Sequence, residues 1–209
     1  MTAIQNVVLV TGLTEAPHLS AIIGDHAPTV GVLHAPDKVA IEQAMKHLSD
    51  ELATTRLISI ATDVIVPAPI LSRLPTTGYN FHAGPPNYPG SHPASFAVFE
   101  GAEHFGVTLH ELAARVDTGG IVAVERFPVR PETTAADLNG EAYAAVIAMF
   151  SKWIQRMLGS TDNLPLSEEM WQGPARTRAE AKSLSATVPE DSEETRTRRR
   201  RAFSIIPQD

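Results

Sequence analysis

Asn80 and His82 stand two positions apart in the short run "GYNFHA" at residues 78–83. If that run is a β-strand, side chains alternate between faces, so the amide and the imidazole project together. The chain then enters a segment where Gly84, Pro85, Pro86, Pro89 and Gly90, with Pro93 beyond, hold it to an unusual path. A carboxylate, Asp117, follows in a second Gly-flanked segment, "VDTGG". An amide, an imidazole and a carboxylate gathered at one place could polarise a carbonyl and move a proton without a metal or a covalent nucleophile. Taken singly each has a bland reading. A histidine near a strand end is commonly structural, and an aspartate before Gly-Gly is commonly a turn residue.

Composition narrows the field of functions. The chain has 209 residues, enough for one domain with a sizeable core and a small addition. Its formal net charge of −7 speaks against general nucleic-acid binding, which needs a basic face. With no cysteine there is no thiol nucleophile, thiolate metal site or disulfide, in keeping with a reducing, cytoplasmic setting. No apolar run approaches the ~20 residues of a membrane span, and "MTAIQNVVLV" lacks the basic start of a signal peptide.

The elements that must position these residues alternate. "NVVLVTG", "TVGVLHA" and "RLISIATDVIVP" are apolar runs of the kind buried on both faces of a parallel sheet. Between them lie two helices. One opens at Thr14, carries Pro17 in its first turn and ends before Gly24; the other is capped by Asp37 and carries Ala40, Ile41, Ala44, Met45 and Leu48 on one face. Strand, helix, strand, helix, strand predicts an α/β fold with right-handed crossovers. After "GYNFHA", a short helix in "PASFAVFEG" closes at Gly101. "GVTLHEL" and "GIVAVERFPV" alternate as half-exposed strands around the "AARVDTGG" loop. A long helix then begins at Thr134 and Asp137, turns Leu138, Ala142, Val146, Met149, Trp153 and Met157 to the core, and stops at Gly159. The last fifty residues are less regular.

In order and spacing, "NFHAGPPNYPG…FAVFEG…FGVTLHELAARVDTGGIV" resembles the formyltransferases that use N10-formyltetrahydrofolate. The matching pieces are Asn80, His82, the loop from Pro86 to Gly90, Gly101, Gly106–Thr108–His110, and Asp117 with Gly119; the resemblance covers roughly residues 56–129. It implies a shortened Rossmann-like formyltransferase fold: a mixed, mostly parallel sheet flanked by helices, with a catalytic domain at 1–159 and a C-terminal appendage at 160–209. It implies that Asn80 and His82 stabilise an oxyanion, that Asp117 keeps His82 protonated and assists proton transfer, and that His110 supports them. Val64, Ile65 and Val66 on one side, and Leu112 and Ala113 on the other, correspond to the segments that line the family's pterin pocket. N10-formyltetrahydrofolate is then the co-substrate and a primary amine the acceptor. Hydrolysis of the same co-substrate and a non-catalytic folate-binding module remain alternatives.

Departures from the family pattern bear on the acceptor. The turn "VTGLTEAPH" has one glycine where purine-pathway relatives cradle a phosphate, which argues against a glycinamide ribonucleotide. The "AGPPNYP" loop lacks the arginine of the initiator-tRNA enzymes, and the acidic chain has no room for their tRNA-binding domain. "MWQGPARTRAEAKSL" and the Arg-Ala-Phe at 201–203 resemble the tail of sugar-amine formyltransferases, which implies an amino sugar linked to a nucleotide. The run Arg198–Arg201 reads as helix-end electrostatics, with a Thr187–Glu190 capping box and a Glu194–Arg198 pair, or as a phosphate patch. Exposed parts of the strands after Gly106 leave room for pairing with a second copy of the chain.

Overall fold

A computed structural model of the chain describes residues 2–186 and 188–206. Six strands form one sheet: β1 (Asn6–Val10), β2 (Gly31–His34), β3 (Thr55–Ile60), β4 (Tyr79–His82), β5 (His104–Glu111) and β6 (Ile121–Pro128), in the spatial order β2-β1-β3-β4-β5-β6. The first four run parallel; β5 is antiparallel to β4, and β6 to β5. The expected mixed, mostly parallel sheet flanked by helices is the observed architecture.

Strand alternation assigns the two faces. Val7, Leu9, Ile58, Ile60, Tyr79, Phe81, Phe105, Val107 and Leu109 enter one core. This core is closed by α1 (Ala16–His26), α4 (Pro93–Glu100) and α5 (Ala135–Gly159), and by α6 (Arg178–Ser185) and α7 (Glu193–Phe203) from the C-terminal segment. Val8, Val10 and Leu57 point the other way, under α2 (Lys38–His47) and the short α3 (Ala68–Leu71). The residues between the first set on β4 and β5, namely Asn80, His82, Thr108 and His110, therefore also face that second side.

Several boundaries depart from the sequence expectations. Helix α1 starts at Ala16, after Glu15 rather than Thr14, and continues through Gly24 to His26. Its end is set by Pro28, which forces Ala27 out of the helical region (φ −149°). Asp37 does cap α2, accepting from the Ala40 N–H at 2.8 Å. Residues 68–71, for which the sequence suggested no element, form α3. Strand β5 is not half-exposed: from Phe105 to His110 every residue is buried, because a second layer covers the face opposite the core. On α5 the expected capping box is present and Leu138, Ala142, Val146, Met149 and Met157 are buried; Trp153 is only partly so.

The last fifty residues hold α6 and α7, and their Leu164, Ala181, Ala202, Phe203 and Ile206 pack into the first core. Thr187 lies outside the described residues, so its capping box is not described; α7 is capped instead by Ser192, which accepts from the Thr195 N–H. Arg56, fully buried on β3, donates to the main-chain oxygens of Met157, Thr161 and Asp162. It ties the end of α5 and the start of the C-terminal segment to the sheet.

Candidate active site

Because β4 and β5 are antiparallel, Asn80 stands directly opposite His110 and His82 opposite Thr108. Asn80 Nδ2 lies 3.0 Å from His110 Nε2. His110 Nδ1 lies 2.8 Å from the Glu111 carbonyl, which only accepts, so Nδ1 carries a proton and Nε2 is turned to the amide and to Asp117. His82 Nε2 lies 3.0 Å from the Tyr88 carbonyl and is fixed as the protonated nitrogen by the same reasoning. Its Nδ1 then faces Asp117.

Asp117 comes from the β5–β6 loop, which is pinched at its base by the Glu111 N–H donating to the Gly120 carbonyl. Gly119 passes so close to the Glu111 carbonyl that any side chain would collide with it. Above that pinch Asp117 itself adopts a left-handed conformation (φ 46°), which aspartate tolerates better than most residues. Its carboxylate accepts from the Gly90 N–H at 2.7 Å and lies 3.4 Å from His82 Nδ1 and 3.3 Å from His110 Nε2. The structure thus brings Asn80, His82, His110 and Asp117 into one network on the second face of the sheet. His110 is buried between amide and carboxylate.

The electrostatics differ from the expectation in one respect. Burial lowers the His82 imidazole below its ordinary value; the Asp117 charge and the Tyr88 carbonyl pull the other way and do not overcome it. Burial also pushes Asp117 upward, but the His110 hydrogen bond, the two imidazoles and the Gly90 N–H together hold it below the usual carboxylate range. The two shifts divide the pair differently, since a positive His82 would help to lower Asp117 while His82 itself is driven towards neutrality. The 3.4 Å separation is longer than a strong charge-assisted bond. Burial of His82 thus works against the expected role of Asp117 in keeping it protonated.

Trp171 completes the cluster and was not among the residues singled out as a site; the sequence offered it only as part of a tail motif. Its ring meets His110 edge-on at 4.9 Å and His82 at 5.7 Å, and its Nε1–H donates to the Gly119 carbonyl at 2.8 Å. The segment carrying it is laced to the Pro-rich loop by main-chain bonds, Gln172 N–H to Pro86, Arg176 N–H to Pro89 and Ser91 N–H to Arg176. Gly90 (φ +95°) lies against the Arg176 backbone, where a side chain would not fit. The rigid loop that follows His82 is thus the seat of this strap.

Of the residues expected to line a pterin site, three lie together. Val64, Val66 and Leu112 share the second apolar cluster, and the Leu112 N–H donates to the Gly78 carbonyl at the start of β4. Val66 turns its side chain into that core, whereas Ile65 is half exposed, and Ala113 is partly buried beyond the end of β5. The main-chain groups of Ile65, Val66 and Ala113 make no hydrogen bond among the described residues. A separate cavity of about 620 Å³ lies between the Asp117 loop and residues 169–175, with both Asp117 and Trp171 in its wall.

The same architecture occurs in solved structures of low sequence identity. A sugar N-formyltransferase from a Shewanella species superposes with a TM-score of 0.76 at 15% identity, covering 95% of this chain and 87% of that one. An N-formyltransferase from Helicobacter canadensis, solved with folinic acid and dTDP-3-aminofucose, gives 0.73 at 20% identity over 96% and 80%. In sequence, 83 residues are 35% identical to the methionyl-tRNA formyltransferase of Chlorobium chlorochromatii, 39% of this chain but 26% of that relative, so the match spans about a quarter of the curated relative's length. The model of the formyl transferase family matches residues 7–151, well over half of the sequence, and the chain belongs to that family.

Proposed function

We propose that the protein transfers a formyl group from N10-formyltetrahydrofolate to a primary amine, the acceptor being an amino sugar linked to a nucleotide. The observation that carries this reading is the gathering of Asn80, His82, His110 and Asp117 into one polar network. The residues expected at the pterin site suit one. Val64, Val66 and Leu112 supply apolar surface, and the unengaged main-chain groups of Ile65, Val66 and Ala113 can read the donors and acceptors of a flat heterocycle. When bound, the folate supplies an activated formyl carbon on a nitrogen that can leave.

The residues divide the remaining work. Asn80 spends one amide N–H on His110 and keeps the other for the carbonyl oxygen as negative charge develops there; such a donor contributes ~3–4 kcal/mol. His110 fixes which way the amide faces. His82 Nδ1, a lone pair, and Asp117 Oδ2 are two basic atoms facing each other across 3.4 Å. Between them they hold the one proton the attacking amine must lose and return it to the departing nitrogen. The new imidazolium would sit beside the carboxylate, which compensates its burial. Trp171 covers both imidazoles and keeps bulk water off the pair.

Asp117→Asn tests the assignment. Release of tetrahydrofolate in the presence of an amino-sugar nucleotide is expected to fall about 10²–10⁴-fold, the range for a lost proton-transfer group, while the protein still binds folinic acid. Undiminished release in that variant would remove Asp117 from the reaction.

A further inference from the structure

The cavity beside Asp117 has a use that the network alone does not explain. It contains none of the expected pterin-wall residues; its lining includes Arg115, Val116, Asp117, Glu169, Met170 and Trp171. Its volume of about 620 Å³ lies within the usual range for sites that hold whole small molecules, roughly 300–1,000 Å³. Met170 and Val116 are exposed hydrophobic side chains on this rim, and Trp171 adds an indole, so the wall offers apolar contact to a flat ring.

The charges decide what kind of molecule fits. Among the described residues, Arg115 is the one arginine whose side chain has no carboxylate, carbonyl or aromatic partner. Arg73, Arg126, Arg130, Arg176 and Arg178 are each paired with an acid. Arg56 is held by carbonyls and Arg156 by Trp153. The run on α7 is likewise spent: Arg196 and Arg200 on Glu193, Arg198 on Glu194, Arg199 on Asp191 and Arg201 on Glu132. The arginine run is therefore helix-end and inter-helix electrostatics, and the phosphate patch must be sought elsewhere. At the cavity, Glu169 is neutralised by a two-pronged bond from Arg126 at 2.6 and 2.9 Å, so it does not cancel the Arg115 charge.

Resting on the formyl-transfer reading, we infer that this cavity is the acceptor pocket and that Arg115 is its anion anchor, gripping the diphosphate of an amine-bearing nucleotide. The Trp171–Met170–Val116 wall carries a ring of that nucleotide. Asp117 and Trp171 belong both to this wall and to the histidine network, so an acceptor seated here brings its amine to the reacting groups without crossing the fold. Arg115 suits the task because its guanidinium matches phosphate oxygens in pairs.

Titration of the full chain with dTDP, UDP, inorganic pyrophosphate and uncharged thymidine, followed by calorimetry, tests the anchor. A parallel titration with folinic acid reports on folate binding. The nucleoside diphosphates are expected to bind more tightly than pyrophosphate or thymidine, and to weaken as salt is raised. Arg115→Gln is expected to weaken them at least tenfold, Arg115→Lys to recover part of the loss, and Arg130→Gln, on a remote exposed pair, to change nothing. Folinic acid binding stays the same throughout. Diphosphate binding that is absent, indifferent to Arg115→Gln, or matched by thymidine overturns the anchor while leaving the formyl-transfer reading intact. A protein that binds the diphosphates through Arg115 but not folinic acid keeps the anchor and overturns formyl transfer.

Discussion

At the scale of single residues, the chemistry rests on which groups are charged before anything binds. His82 is lowered by burial and Asp117 is held down by its donors, so both bind fewer protons folded than unfolded over the ranges where they titrate. The sign follows directly. As pH falls below the ordinary imidazole value of about 6.5, the unfolded chain takes up a proton that buried His82 refuses, and stability drops until the folded value is reached. Asp117 adds a second loss, beginning near the ordinary carboxylate value of 3.8 and continuing below it. His82→Gln should flatten the first decline and leave the second in place, as read from urea midpoints from pH 7 down to about 2. An unchanged slope above pH 5 would mean that folding does not shift His82; a steeper decline in the variant would mean that His82 is held charged in the folded protein. Asn80 and Asp117 could be picked out from residue types and spacing. The protonation of His82 could not, because burial and charge act on it in opposite directions and only packing fixes their balance.

At the scale of elements, the site is a seam between an antiparallel strand pair and a strap from the C-terminal segment. Gly90 is where they touch, with a left-handed backbone and no room for a side chain against Arg176. Gly90→Ala is expected to cost about 2–3 kcal/mol, roughly 5–10 °C in Tm for a chain of this size, with looser binding at the Trp171 side. Trp171→Ala should keep the fold, since the residue is only partly buried, but raise release of tetrahydrofolate without an acceptor by admitting water. Comparing rates with and without amine checks it. Most strands and helices were legible from periodicity, because a strand buried on both faces and an amphipathic helix each leave a pattern in the chain. Strand β5 misled that reasoning. Its alternation of Val107 and Leu109 with Thr108 and His110 suggests a wet face, yet the polar set is buried under the Asp117 loop and Trp171.

At the scale of the whole molecule, the C-terminal fifty residues share the main core. Leu164, Ala181, Ala202, Phe203 and Ile206 pack there, and Arg199 is buried against Asp191. A chain ending at residue 159 should therefore lose its cooperative melt and expose apolar surface to a dye such as ANS. A sharp transition in that shortened chain would instead identify 1–159 as an independent domain. Arg56→Met should also be costly, about 3 kcal/mol or more, because several buried carbonyls would lose their donor. No helix of the described residues is long and apolar enough to cross a membrane. The sequence by itself determined the alternation of strands and helices, the shared face of Asn80 and His82, and the turn chemistry around Asp117. These follow from periods of two and 3.6 residues and from glycine and proline placement, which are local properties. Tertiary structure alone decided that His110 stands opposite Asn80, that Trp171 lies over both imidazoles, and that, among the described residues, the Arg115 side chain is left without a partner while every other arginine finds one. Those relations join residues up to ninety positions apart, and only the packing of one face against another brings them within reach.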